Sequence, residues 1–513
     1  MTSIGATPVD GGGNRRQPTI VVIAIWTLIV GVMVMLALIN PISRDEGAFM
    51  GPVAVASSAR PYVDFLYLQT PLQAVISPPF AHLFPGYGFI ALRCAIALMG
   101  AAVLGVTYSA QRGLGVSRRA AAACTALLAG CYSFQFGCGV VRNDALPALL
   151  AVTALQVGLL ALRGGSRPAP AWGLAGLLFG AAASAKLSYA FPAAGAGLFL
   201  VIQLLRRRLP LQAVAAFGLG GLVGLIPCLI AWRQAPAAFT YGALTFNAAT
   251  LVQWYRANHM GWVVSPAANV LVTTGILLVG PGLGALALVA GATVRRGWAG
   301  VRAAPHILLL DILIVAGLVA ALAPTPSNFQ YVLPALPALF IRLGVEAASL
   351  TRAPRRADYA AAGVMAFGLA LGCGYGLVMA YRGLTNPGAL PVEDVTRQAH
   401  WIGARLKAAN ASGFVSTLSP EVVLDSSYPL DPRFTTGVFV YRSAGLLTAS
   451  ELATFNSIGP QTLSRSLDQR PPAAIVVGGG GALDAALRSY AIAHGYRREM
   501  SPFGKFELDI PVS

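Results

Sequence analysis

Apolar runs of about 20 residues recur through the first 381 residues of this chain, and that is the length an α-helix needs to cross ~30 Å of hydrocarbon. No other feature constrains the fold as much. Inside a bilayer every backbone amide and carbonyl must find its partner within the protein, so repeated runs of this kind commit the chain to a bundle of helices. The candidate spans are Thr19–Ile39 and residues 87–108, 120–137, 145–162, 171–185, 188–205, 211–232, 262–290, 306–323, 331–350 and 359–381, eleven in all. The first run is too long for a signal peptide, and the nearest Ala-x-Ala, at Ala54 and Ala56, lies well past its end.

The formal net charge of +17 would suit a nucleic-acid binder, but its distribution gives a different reason. Residues 1–381 carry 24 Lys and Arg against 8 Asp and Glu, whereas residues 382–513 carry 12 against 11. Within the first part the arginines cluster in alternate short loops, at Arg15 and Arg16, Arg112 to Arg119, Arg163 and Arg167, Arg206 to Arg208, Arg295 to Arg302 and Arg352 to Arg356. That is the bias of cytoplasmic loops, and it removes the need for a nucleic-acid partner. One topology places all six clusters inside: a cytoplasmic N-terminus, with residues 1–18 disordered, and an extracytoplasmic tail from 382 onward. Residues 40–86, 138–145, 185–188, 233–261 and 324–330 then lie outside.

The tail reads as a small soluble α/β domain. Residues 392–410 and 482–494 have helical spacing, and 413–418, Ala474–Val477 and 505–510 read as strands. The run Gly478 to Gly481 after the middle strand lacks the third glycine of a dinucleotide fingerprint, Leu483 standing in its place, and reads as a plain turn.

Chemistry-bearing residues concentrate in the outside loops. In loop 40–86, Ser43 and Glu46 have capping-box spacing, which predicts a short surface helix over 46–59 and would hold Asp45 rigidly at the bilayer face. An adjacent acidic pair there suits a general base with a partner carboxylate. Tyr62, Asp64, Tyr67 and Gln69 follow, a mixture of flat rings and polar groups that suits a sugar, or else an aromatic belt. Arg142 and Asp144 form a second polar wall, although Asn143 or Asp144 would also cap the next helix. Lys186 is the only lysine before Lys407. A cation at the outer end of a span is a candidate phosphate ligand, with snorkelling as the bland alternative. Arg256 and His259 sit among aromatics in the fourth outside loop. No cysteine or histidine spacing points to a metal; a divalent cation is possible but unsupported, and no cofactor is required. Asp311, Arg342 and Glu346 fall within spans and read as a structural ion-pair cluster.

A first span followed by an outside Asp-Glu, a Tyr67 to Pro71-Leu72 segment, Arg142-Asn143-Asp144, Ala185-Lys186 and a late Gln330-Tyr331 with Pro334 and Pro337 resembles the GT-C glycosyltransferases. The similarity is to bacterial relatives of protein O-mannosyltransferases and of the aminoarabinose and galacturonic-acid transferases of lipopolysaccharide. It implies a polytopic α-helical membrane protein, GT-C-like with about eleven transmembrane helices, in the bacterial inner membrane. It implies a monosaccharide donor on a polyprenyl phosphate, attacked on the extracytoplasmic face by an acceptor hydroxyl of the cell envelope. Asp45 maps onto the base and Glu46 onto its neighbour. Tyr62, Asp64, Tyr67, Gln69, Arg142, Asp144, Lys186, Arg256, His259, Gln330 and Tyr331 are the expected substrate-binding set. Gln330 departs from the pattern, since a basic residue is common there. The alternatives are a lipid-linked sugar flippase or small-molecule transporter, and a non-catalytic assembly subunit acting through the tail.

Overall fold

The computed structural model describes residues 19–164, 168–352, 354–385 and 390–512. The expected disordered N-terminus, with Arg15 and Arg16, lies outside the described residues, as does Arg167.

Among the described residues four helices are long and apolar enough to cross a membrane: Gly88–Gly113, Leu187–Leu205, Pro305–Leu322 and Arg356–Thr385. Two helix pairs pass the same test together, Leu211–Gly224 with Ile226–Gln234, bent by 46°, and Pro266–Leu278 with Gly282–Ala303, bent by 96°. Ile23–Ile39 and Ala145–Ala161 are shorter apolar helices.

Three expected spans are therefore bent or broken, and the first, residues 211–232, bends at Leu225. Residues 262–290 turn a corner at Gly280 and Pro281. Pro281 lacks an N–H, and Gly280 takes φ 139° with Cys131 so near that a Cβ would lie 2.8 Å from its Cα. Residues 120–137 break at Gly130 into Arg118–Ala129 and Tyr132–Gly137.

Small residues set the packing where helices run closest. Pro168–Ala185 and Leu211–Gly224 meet backbone to backbone. A Cβ at Gly176 would collide with the Phe217 carbonyl, and one at Gly220 with that of Gly173. Gly176 with Gly180 and Gly220 with Gly224 give each helix a small-xxx-small face, which in hydrocarbon replaces the missing hydrophobic drive with close van der Waals contact.

The tail carries a four-stranded sheet of order β1-β2-β4-β3, with β1 Val415–Thr417, β2 Ala474–Val477, β3 Arg497–Met500 and β4 Glu507–Ile510. β1 and β2 are parallel, and β4 runs antiparallel to both β2 and β3. The helix Pro391–Ala408 precedes the sheet and Ala485–Ala493 follows β2.

The tail is stitched to loop one and to the helix after it. Asp425 accepts the Gly88 N–H at 2.7 Å, capping that long helix from another part of the chain. The Leu430 N–H donates to the Ala54 carbonyl at 2.8 Å, and the Thr435 hydroxyl donates to that of Leu66 at 2.9 Å.

Candidate active site

Loop one folds as the helix Arg44–Ala54, shorter than the expected 46–59, with Ser43 as N-cap. The Glu46 carboxylate reaches back and accepts the Ser43 N–H at 2.8 Å, as the Ser43–Glu46 spacing predicts. The cap fixes the two acids on different sides of the helix.

Glu46 points into the protein. It is fully buried and accepts hydrogen bonds from Arg93 Nε at 2.9 Å, Arg93 Nη2 at 2.6 Å and the Val141 N–H at 2.7 Å. Arg93 in turn donates to the Ala37 and Asn40 carbonyls at 2.6 and 3.0 Å. A buried ion pair holds only when its remaining donors and acceptors are satisfied, and here they are. Glu46 was expected beside Asp45 at the reaction centre. It instead ties together the end of the first helix, loop one and the second loop, and does not line the cavity.

Asp45 points the other way. Its side chain is 32% exposed and it lines a cavity of about 550 Å³. Its Oδ2 accepts from Arg142 Nη1. Arg142 Nε donates to Asp144 Oδ2 at 3.2 Å, and Asp144 Oδ1 accepts from Lys186 Nζ. Four charges of alternating sign thus run Asp45, Arg142, Asp144, Lys186. Burial alone would push Arg142 down, but the carboxylates of Asp45 and Asp144 outweigh it and hold the guanidinium above its ordinary value. Asp144 occupies the N-cap position of Ala145–Ala161 without capping it, because its carboxylate is given to the two cations. Between them, Asn143 donates to Gln69 Oε1 at 3.0 Å and to the Ala185 carbonyl at 3.2 Å, pinning the second loop to loop one.

Tyr67, Gln69, Arg142 and Tyr331 line the same cavity as Asp45. Lys186 stands one layer behind, its Nζ 5.0 Å from the centroid of the Tyr331 ring. The Tyr67 hydroxyl is buried without a hydrogen-bond partner among the described residues.

Five expected residues lie elsewhere. Tyr62 is buried in the packing of loop one, its hydroxyl donating to the Gln69 carbonyl and its ring against Phe239. Asp64 is turned to solvent and paired with Arg60 at 3.1 Å, whose hydrogen bond holds its carboxyl below the usual range. Gln330 is buried behind Tyr331, with neither side-chain polar atom partnered among the described residues. Arg256 and His259 are exposed and face away. Helical phase explains this last pair: Asn247, Leu251 and Tyr255, spaced four apart, take the face that lines the cavity.

Sequence reasoning missed the opposite wall, which comes from the tail. Glu421, Phe439, Arg442, Gly478 to Gly481 and Lys505 line it. The glycine run is a turn, as expected, but a turn at the cavity. Asp484 Oδ2 holds it by accepting the Gly478 and Gly480 N–H groups at 2.8 and 3.0 Å. Burial pushes the Glu421 carboxyl up to about 7; nearby Glu46 adds to the rise and Lys505 opposes it.

A second, almost wholly apolar cavity of about 400 Å³ has its own lining, which shares no residue with the first. It runs between the helices 168–185, 190–205 and 211–224, and its lining includes Thr70 and Leu187, the neighbours of Gln69 and Lys186. Among the described residues, no three His, Cys, Asp or Glu side chains gather as metal ligands would. The Asp311, Arg342 and Glu346 cluster is a closed network: Arg342 donates to Asp311 at 2.9 Å and to Glu346 at 2.6 Å, and Arg296 also reaches Glu346.

No protein-family model matches the chain, and no curated protein sequence matches it. Solved structures do. ArnT from Cupriavidus metallidurans bound to undecaprenyl phosphate superposes with a TM-score of 0.55 at 17% identity, over 97% of this chain and 99% of that one. Its apo form gives 0.57 at 16% identity, over 96% and 98%. The oligosaccharyltransferase AglB from Archaeoglobus fulgidus, in complex with an inhibitory peptide and a dolichol-phosphate, gives 0.50 at 13% identity, over 94% of this chain and 74% of that one. Over nearly its whole length the chain shares the fold of these two proteins, a helical bundle with a small sheet after it.

Proposed function

We propose that the protein is a glycosyltransferase that moves a monosaccharide from a polyprenyl-phosphate donor to an acceptor hydroxyl of the cell envelope, on the extracytoplasmic face of the bacterial inner membrane. The observation that carries this reading is the chain of charges Asp45, Arg142, Asp144 and Lys186, with Leu187, the residue after Lys186, lining an apolar groove between helices. The groove has the lining a lipid tail requires, and the cavity that Asp45 lines has room for a sugar and the end of an acceptor. The pairing of ArnT with undecaprenyl phosphate on the same fold supports a lipid-phosphate donor.

In this reading the acceptor oxygen bonds to the anomeric carbon of the donor sugar. The bond from that carbon to the phosphate oxygen breaks, its electron pair leaves with the phosphate, and the hydroxyl proton passes to Asp45. Arg142 holds the leaving phosphate from the cavity wall, the electrostatic contribution that is commonly the largest in such steps. Lys186 neutralises Asp144, so that Arg142 keeps charge to offer. Tyr67, Gln69 and Tyr331 shape the sugar site. Asp64, Arg256 and His259 are left out of it.

The test is turnover of a panel of polyprenyl-phosphate monosaccharides by purified wild type and Asp45→Asn. Consumption of one donor by wild type alone supports the reading. No consumption of any donor, or equal consumption by the variant, refutes it.

A further inference from the structure

Three carboxylates near the cavity are already committed. Asp45 is paired with Arg142, Asp144 with Arg142 and Lys186, and Glu46 with Arg93. Glu421 is different. It lines the cavity from the tail side, half-buried, and among the described residues no Lys, Arg or His lies within ion-pair distance of it. It sits tightly against loop one: a Cβ at Gly47, two residues from Asp45, would lie 2.6 Å from Glu421 Oε2. The charged groups that face it are Glu46 on the loop-one helix and Lys505 on the turn before β4. Lys505 itself rests with Nζ 5.1 Å from the centroid of the Phe506 ring.

The backbone N–H of Glu421 and the field of Lys505 offset only part of the burial, and a carboxyl held there with no ion-pair partner costs stability unless something else uses it; such groups cluster at functional sites. We infer that Glu421 binds the acceptor, taking a hydrogen bond from the incoming hydroxyl compound and holding its attacking oxygen toward the Asp45 side of the cavity. This rests on the transferase reading above and deepens it. The tail then supplies the partner carboxylate that Glu46, drawn away by Arg93, does not.

The role is strongest in the ionised form, in which both oxygens accept and neither is spent as a donor. Its raised affinity for a proton makes this a condition met only toward neutral pH. The experiment uses the full chain in lipid nanodiscs, a polyprenyl-phosphate sugar from the panel, and water as the probe acceptor. Wild-type hydrolysis should rise with pH through about 7 and then level off. Glu421→Gln should lose about tenfold in kcat, leave the donor KM unchanged, and lose the inflection. Glu421→Asp should keep the inflection at a reduced rate. Wild-type kcat and an intact inflection in Glu421→Gln overturn the inference alone. So does a raised donor KM with the inflection retained, which would mark a structural role. A wild type that consumes no donor overturns the transferase reading, and the inference with it.

Discussion

Arg93 grips Glu46 with two parallel hydrogen bonds, of 2.9 and 2.6 Å, where both side chains are wholly buried. Removing one partner leaves the other as an uncompensated charge, which costs about 3–5 kcal/mol. Glu46→Ala is therefore expected to unfold at a much lower temperature in detergent micelles, whereas Asp45→Asn, at a half-exposed position, should melt near wild type. The same Tm for Glu46→Ala and wild type would contradict the brace.

Lys186 and Asp144 should act as a unit. Lys186→Met leaves Asp144 to draw on Arg142 alone, at the expense of the phosphate that the proposed reaction gives to Arg142. Polyprenyl-phosphate affinity is expected to fall about 10- to 100-fold, the scale of a hydrogen bond to a charged group. Adding Asp144→Asn removes the competitor and should restore part of the loss. Titration of the single and double variants with polyprenyl phosphate reads the coupling directly; strictly additive losses would show that the two residues do not share Arg142.

Glu421 also carries a stability signature. Its carboxyl stays protonated up to about 7 in the folded chain, against an ordinary value of 4.5. Between those values the folded state binds the extra proton, so its contribution makes stability fall as pH rises from 4.5 to about 7 and stay level above. Glu421→Gln should remove that slope from a plot of Tm against pH. A slope of the same size in the variant would assign it to other groups.

The loop-one helix meets the tail at Gly51, where a Cβ would collide with the Thr435 carbonyl. Gly51→Ala is expected to cost about 1–3 kcal/mol by overpacking and to loosen the tail. Hydrogen exchange at Leu430, whose N–H donates to Ala54, should speed up. Unchanged protection there would mean that the contact is easily relieved.

Much of the site could be read from the chain because local rules govern it. The Ser43 to Glu46 spacing predicts the helix that holds Asp45, and the only lysine before Lys407, at the outer end of a span, marks Lys186. What local rules do not supply is direction. Asp45 and Glu46 look like a pair in sequence, yet adjacent helical residues point about 100° apart, and only Arg93, inside an apolar run, decides which one is drawn inward. Arg256 and His259 fail for the same reason, since the face used by Asn247, Leu251 and Tyr255 is not theirs. β3 went unseen because Arg497, Arg498 and Glu499 carry no strand pattern; it is an exposed edge held by β4 alone. The tail wall was invisible because its residues matter only once the tail is docked.

That docking has a consequence for how the protein is made. Asp45 leaves the ribosome early, whereas the surface facing it is built from Glu421, the glycine turn and Lys505, which emerge only after the last long apolar helix. A chain still in synthesis can insert its helices with Asp45 already in place and the wall across from it missing. Until the tail folds back, the newly inserted protein has half of the cavity lining, and under the proposed function that keeps it from acting on lipid-linked sugars before its own assembly is complete.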